Sequence, residues 1–286
     1  MLAVLLFLYC SGSLYGLYRI FRRIRQHQKW GIAIALFLIC GERVVACVIR
    51  IVWVFRKTNV RISVASQIFL QAGSLLLLVI NLLLAGSLLR TTLREQVWLS
   101  QLLATLASLI TASFIMVITS ITLSVYTSRE QTRTDCRYVQ RAAATNLLVV
   151  AVVPLVMLVV AVSRYRLQSV KADREIRVLA TITTISSSMA VLITGFKAGI
   201  LFKSPAPLFS STWYYSKASL YCFQFLPEVL VLMMLFLMRV DVRYDAVIRQ
   251  RTQLEGGCIE SRSSLAITRG SLHRAKTEEL FQQKVL

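Results

Sequence analysis

Histidine and acidic residues are scarce in this chain of 286 residues. Lys and Arg number 33 against 13 Asp and Glu, so the formal net charge is +20, and there are only two histidines. A zinc-dependent membrane hydrolase needs several histidine ligands within its membrane spans. Because His27 and His273 both lie in polar segments, this class of enzyme is excluded.

Motifs that carry other chemistry are missing as well. The sequence has no Ser/His/Asp set, no phosphate-binding loop and no CxxC spacing, which are patterns of hydrolases, nucleotide-binding enzymes and redox or metal sites. Four of the six cysteines lie in apolar runs, where we expect them to pack as small apolar residues. We therefore expect a protein that is not an enzyme and has no cofactor or metal site.

The sequence lacks residues that two groups of seven-helix proteins require. A retinal protein carries a Schiff-base lysine deep in its last helix, whereas the centre of that helix holds Glu228 and its mouth holds Lys217. Receptors of the rhodopsin class end the third helix with an acid-Arg-aromatic triplet and carry Asn-Pro-x-x-Tyr in the seventh. The corresponding segments read SLLRTTLRE and FLPEV, so neither group fits.

Long apolar runs are abundant, and they set the fold class. The chain is 56% hydrophobic with a mean hydropathy of +0.65, against about 45–50% apolar residues in a soluble domain. The basic residues separate these runs, which indicates a membrane protein and not a nucleic-acid-binding one. We predict an all-α polytopic protein with a transmembrane domain over 1–240. Its seven helices span about 1–18, 30–55, 62–89, 97–126, 143–163, 176–202 and 217–240.

Loop charges predict the orientation of these spans. The segments on the side of the C-terminus carry 21 Lys and Arg, and those on the other side carry 9. The positive-inside rule then places the N-terminus outside and the C-terminus in the cytoplasm. The remaining segment, 241–286, is basic and Ser-rich and is predicted to be a disordered cytoplasmic tail.

Charged residues also occur inside the spans. In ICGERVVACVIRIVWVF, Arg43 and Arg50 are seven residues apart and share a helix face, with Glu42 one step round. In the last span, Lys217, Gln224 and Glu228 form one stripe, and Pro227 should kink the helix. An ion at the bilayer centre costs on the order of 3 kcal/mol, so these residues should face other helices or a cavity.

Deep in the spans, two acids can pair with three bases, which leaves one cation in excess. The acids are Glu42 and Glu228, and the bases are Arg43, Arg50 and Lys197. Further polar residues in other spans extend the set, namely Gln67, Asn81 and Asn146. Either the charges form an ion-pair network that fixes helix packing, or they line an outward-facing cavity for an anionic group. The candidate cluster comprises Glu42, Arg43, Arg50, Gln71, Lys197, Lys217, Gln224 and Glu228.

The same segments resemble a family of fungal multi-pass membrane proteins known only as a domain of unknown function. Arg43, Arg50 and Trp53 match its Arg-x6-Arg-x2-Trp element, although the family has no acid at the position of Glu42. Further matches cover roughly residues 30 to 245 and are ThrAsnVal at 58–60, AlaGly at 72–73, AsnLeu at 81–82, TDCRYVQ, WYYSKA at 213–218, Glu228 and ArgValAsp at 239–241. The family usually begins with a longer N-terminal segment, which favours a truncated start for this chain.

The resemblance implies a fungal seven-helix membrane protein and no particular function. In layout the chain is also similar to fungal seven-helix proteins proposed to export lipids, which suggests the plasma membrane, with an organelle membrane as the alternative. Three functions stay open from the sequence. The protein could translocate or bind a lipid or an anionic amphipathic solute, act as a receptor-like sensor through its loops and tail, or be purely structural. The expected partners are membrane lipids and an anionic small molecule, with a cytoplasmic protein partner unknown.

Overall fold

The chain is built from helices throughout its described part. The computed structural model describes residues 2–25, 31–56, 59–92, 97–127, 129–168, 174–203, 219 and 221–247. Its long helices are α1 (Leu2–Arg25), α2 (Gly31–Phe55), α3 (Val60–Thr92), α4 (Val97–Tyr126), α5 (Glu130–Gln168) and α6 (Arg174–Phe202). A π-helical turn, Tyr221–Phe225, leads into α7 (Leu226–Leu237) and α8 (Val240–Val247). The all-α prediction is therefore confirmed.

Six of these helices, α1 to α6, are long and apolar enough to cross a membrane. The segment from the π-helical turn through α7 is joined to α8 with a bend of 59°, and this bent pair makes a seventh span if it is counted as one. The bend falls at Arg239, whose φ of 49° is left-handed. A polytopic membrane protein is thus confirmed, with six spans or up to seven in the part of the chain that the structure describes.

The helices extend beyond the predicted spans. The first continues from residue 18 to Arg25, and α5 begins at Glu130, so most of the predicted loop 127–142 is helical. Hydropathy marks only the stretch that hydrocarbon tolerates. Polar residues at a helix end keep the same backbone hydrogen bonds in water, so they lengthen the helix without lengthening the apolar run.

The helix α3 lies at the centre of the bundle, where it contacts α2, α4, α5 and α6. Side-chain hydrogen bonds join α6 to α3 and α5 to α4. Ser186 Oγ donates to Asn81 Oδ1 at 2.6 Å, and Asn146 Nδ2 donates to Ser113 Oγ at 2.6 Å. Hydrogen bonds of this kind hold transmembrane helices together because hydrocarbon offers polar groups no other partner. Asn81 and Asn146 are therefore packing residues.

A buried ion-pair clamp joins α8 to α1. Arg19 Nη2 lies 2.6 and 2.5 Å from the two carboxylate oxygens of Asp241. Arg23 pairs with the same carboxylate at 3.0 Å and with Asp245 at 2.5 Å. The two arginines and the two aspartates each have the four-residue spacing that places side chains on one helix face. This clamp lies in the first residues of the segment assigned to the tail; residues 248–286 lie outside the described part, where the disordered tail stays a prediction.

The clamp predicts a difference between two acid-to-amide changes. Asp241→Asn removes the carboxylate from a pair whose side chains are only 11% and 6% exposed, so we expect a loss on the order of 3 kcal/mol of unfolding free energy. Glu175→Gln removes the partner of Arg243 in a pair whose side chains are 50% and 28% exposed, where the loss should stay below about 1 kcal/mol. Thermal unfolding in detergent measures both. Equal shifts in the two variants would contradict the assignment of a buried clamp.

Candidate functional site

Arg43 is the centre of a charge network inside the bundle. Its residue is 1% exposed, and its Nη2 lies 2.6 Å from Glu228 Oε1. Its Nε lies 3.6 Å from Glu42 Oε2, and its Nη1 is 3.5 Å from the Leu70 carbonyl oxygen. One guanidinium on α2 therefore links α7 and α3, and Glu228, far away in sequence, is its closest acidic partner.

The helix irregularity before α7 positions Glu228. Pro227 has no N–H and so cannot close the helical bond to the residue four positions earlier. The chain forms the π-helical turn immediately before it, which is a common way to absorb such a defect. Gln224 lies in this turn, with its Nε2 3.4 Å from the Leu70 carbonyl oxygen. The sequence predicted a kink at Pro227; the structure has a π-helical turn immediately before it, and the bend of 59° lies later, after Leu237. Gln224 and Glu228 contact α3 and α2.

A close approach of α2 and α3 requires glycine at position 73. A Cβ built on Gly73 would overlap the Glu42 carboxylate and the Arg43 guanidinium. No side chain fits there unless one of these charged groups moves. Sequence periodicity places charges on a helix face but does not reveal which residue of the neighbouring helix faces them, and so this requirement was not predicted.

Lys197 lines a polar cavity next to this network, close enough for Glu228 and Glu42 to act on its charge. Its Nζ donates to Gln71 Oε1 at 2.9 Å and to Ser74 Oγ at 2.8 Å. The cavity has a volume of about 130 Å³ and lies among α3, α4, α5 and α6. Gln67, Gln140 and Thr194 supply its other polar groups, and Lys197 is the one charged residue among the described residues that line it.

Arg50 and Lys217 complete the predicted cluster. The guanidinium carbons of Arg50 and Arg43 lie 5.6 and 5.9 Å from the Phe225 ring centroid, within reach of cation–π attraction. No ion pair joins Arg50 to an acid within the described ranges. Arg50 and Lys197 are thus both without a direct ion pair in the described ranges, and the sequence predicted one cation in excess without assigning it to a residue. Lys217 lies outside the described residues.

The geometry divides the predicted cluster into two parts. Arg43 pairs with Glu228 and with the more distant Glu42, and this group connects three helices, as a packing network requires. One arginine leaves one of the two carboxylate charges unbalanced, and Lys197, on which both carboxylates act electrostatically, supplies the balancing charge. The ion-pair interpretation therefore applies to Glu42, Arg43 and Glu228, and an anion site at Lys197 stays a prediction.

Comparison with known proteins adds no assignment. No family model, no curated protein and no solved structure matches this chain. The resemblance to the fungal family consequently stays a prediction. Among the described residues, no group of three or more His, Cys, Asp or Glu side chains is arranged to hold a metal ion, and the five described cysteines are free thiols.

The close packing at Gly73 predicts that two matched glycine-to-alanine substitutions differ in their effect on stability. Gly73→Ala should lower the unfolding free energy by about 1–3 kcal/mol, because the new methyl group displaces the buried charges. Gly199→Ala lies on α6, where a Cβ meets nothing within 4 Å, so the gain in helix propensity should leave it unchanged or slightly stabilised. Chemical unfolding in mixed micelles measures both variants. A Gly73→Ala protein as stable as Gly199→Ala would show that the close approach is absent.

Proposed function

We propose that this protein binds the anionic group of a lipid or amphipathic solute at Lys197 and translocates that molecule across the membrane. The observation that carries the proposal is a lysine ammonium, bonded to the neutral Gln71 and Ser74, in a cavity whose described lining holds no acid. The Glu228 and Glu42 carboxylates act on this ammonium from a distance, but its direct partners are neutral, and a buried cation without a directly bonded anion is costly away from water. Binding of a carboxylate or phosphate offsets that cost.

The size of the cavity limits what enters it. A volume of about 130 Å³ holds a few water molecules at about 30 Å³ each, and typical pockets for whole ligands begin at about 300 Å³. The anionic group alone therefore enters, and the apolar part of the ligand stays against the bilayer. The side-chain amides of Gln67 and Gln140 supply further donors for the anion.

We further propose that the bent pair counts as the seventh span, with the N-terminus outside and the C-terminus in the cytoplasm. The excess of basic loop residues on the C-terminal side supports this orientation. The Lys197 cavity then opens in the outer half, because it lies where α3 and α5 begin and α4 and α6 end. Protease added to intact cells should remove an N-terminal tag and spare a C-terminal one. Removal of both tags, or of neither, would contradict the orientation.

A purely structural role is the alternative that a specific observation favours. The Glu42, Arg43 and Glu228 side chains form a paired and buried group that fixes helix packing whether or not a ligand binds. A packing role alone does not explain why Lys197 faces a cavity lined by polar side chains. The two functions therefore differ in what the loss of Lys197 does.

The translocation proposal predicts the effect of Lys197→Met in vesicles. We expect purified protein to speed the transbilayer movement of fluorescent phosphatidylserine, and Lys197→Met to reduce the initial rate at least about 10-fold, which corresponds to about 1.4 kcal/mol. The matched control is Lys203→Met, which removes the same charge from an exposed position near the end of the same helix. Lys197→Arg should retain part of the rate.

Two results would contradict the proposal. Vesicles with wild-type protein that move lipid no faster than empty vesicles would exclude translocation of this lipid. A rate in Lys197→Met equal to that of the wild type would show that the movement does not use this cavity. A lower melting temperature in Lys197→Met, together with no lipid movement by the wild type, would favour the structural role.

A further inference from the structure

A long groove extends from beside the buried network, at Tyr9 and Val229, toward the bend before α8. It has a volume of about 520 Å³ and runs between α1 and α7, with α2 as its floor. Apolar side chains form most of its lining, including Leu8, Met233 and Phe236. Gly12 on α1 leaves room beside the Phe236 ring and Cys40. The groove is therefore shaped as an extended apolar slot and not as a polar cavity.

The length of the groove matches one leaflet of a bilayer. Its wall on α7 extends from Val229 to Leu237, which is about 12 Å at 1.5 Å per helical residue, and Arg239 lies just beyond the end of this helix. The hydrocarbon core of a bilayer is about 30 Å thick. An acyl chain that enters at the Arg239 end thus reaches about the middle of the membrane at the Val229 end.

A single charged side chain stands at one end of this slot. Arg239 is the one charged residue among the described residues that line the groove, and it is exposed at the bend between α7 and α8. Its left-handed φ of 49° is a conformation that glycine and asparagine adopt more easily. The nearby carboxylate of Asp241 already forms ion pairs with Arg19 and Arg23.

The charges around this end favour an anionic head group. Arg22 and Arg25 are exposed in the last turn of α1, beside the clamp that neutralises both aspartates of α8. An anionic head group at this end therefore meets the exposed Arg239 guanidinium on a side of the bundle that is rich in arginine. By contrast, the larger crevice lined by α3, α4 and α5 is wholly apolar in its described lining, from Leu89 to Val160, and offers a head group no partner.

We infer that the α1–α7 groove binds one acyl chain of an anionic phospholipid, and that the phosphate of this lipid pairs with Arg239 in the leaflet on the side of α8. Apolar contact along the slot supplies most of the attraction, at about 0.8 kcal/mol for each buried methylene. The arginine selects the charge of the head group and sets the depth of the chain. This site is separate from the Lys197 cavity and does not depend on translocation.

Native mass spectrometry of the full-length protein in detergent tests the inference. Palmitoyl-oleoyl phosphatidylserine and the matching phosphatidylcholine are added in turn, and the apparent Kd of the first retained lipid is measured. We expect the wild type to prefer phosphatidylserine at least about 10-fold. Arg239→Asn should abolish that preference, since asparagine tolerates the left-handed backbone and removes only the charge. Ser11→Phe, which places a ring in the groove, should weaken the retention of both lipids.

Two control variants keep the result interpretable. Arg56→Asn removes an exposed arginine beyond α2 at the other end of the bundle and should leave the lipid preference unchanged. Lys197→Met should also leave it unchanged, because the two sites are separate. The inference is overturned if the wild type shows no preference, if Arg239→Asn keeps it, or if Arg56→Asn loses it to the same extent.

Discussion

The ion pair between Arg43 and Glu228 is the interaction on which the rest of the bundle depends. It joins α2 to α7 through a 2.6 Å contact in a region where hydrocarbon would surround either charge left alone. The cost of such burial is met only if both charges stay together and their remaining atoms find partners. The backbone carbonyl of Leu70, the glycine at position 73 and the π turn before Pro227 all serve that requirement. They open space for the pair and bring its two helices against α3.

Once this pair is formed, the remaining charges acquire separate roles. Glu42 adds a second, more distant acid to Arg43, at 3.6 Å, and Lys197 is left among neutral donors and acceptors. The lysine faces a small polar cavity, and Arg239 lies at the α8 end of an apolar groove. The aspartates of α8 are held by α1, so the exposed charge at that end is positive. Both proposed sites are cationic and both adjoin the bilayer, which is consistent with lipids or lipid-like anions as ligands.

Helical periodicity predicted much of the fold and part of the site. The shared stripe of Gln224 and Glu228 follows from spacing within one helix, and the count of one more cation than acids follows from composition. The pairing of Arg43 with Glu228, the contact of Lys197 with Gln71 and the Arg19–Asp241 clamp depend on which helices become neighbours. That information lies in interhelical packing, where small residues such as Gly73 decide the approach. The helices α1 and α5 extend beyond the predicted spans, because hydropathy reports the membrane-embedded part and not the hydrogen-bonded length.

A double-mutant cycle on Arg43 and Glu228 tests the central claim most directly. The free energy of unfolding in mixed micelles is measured for the wild type, Arg43→Met, Glu228→Gln and the double variant. Each single change leaves a buried charge without its main partner, so we predict that each lowers the free energy of unfolding by a large amount. Adding the second substitution to either single variant should lower it much less. The coupling energy should reach about 2 kcal/mol or more, as for residues in direct contact. Additive losses, with a coupling near zero, would contradict the role assigned to this ion pair.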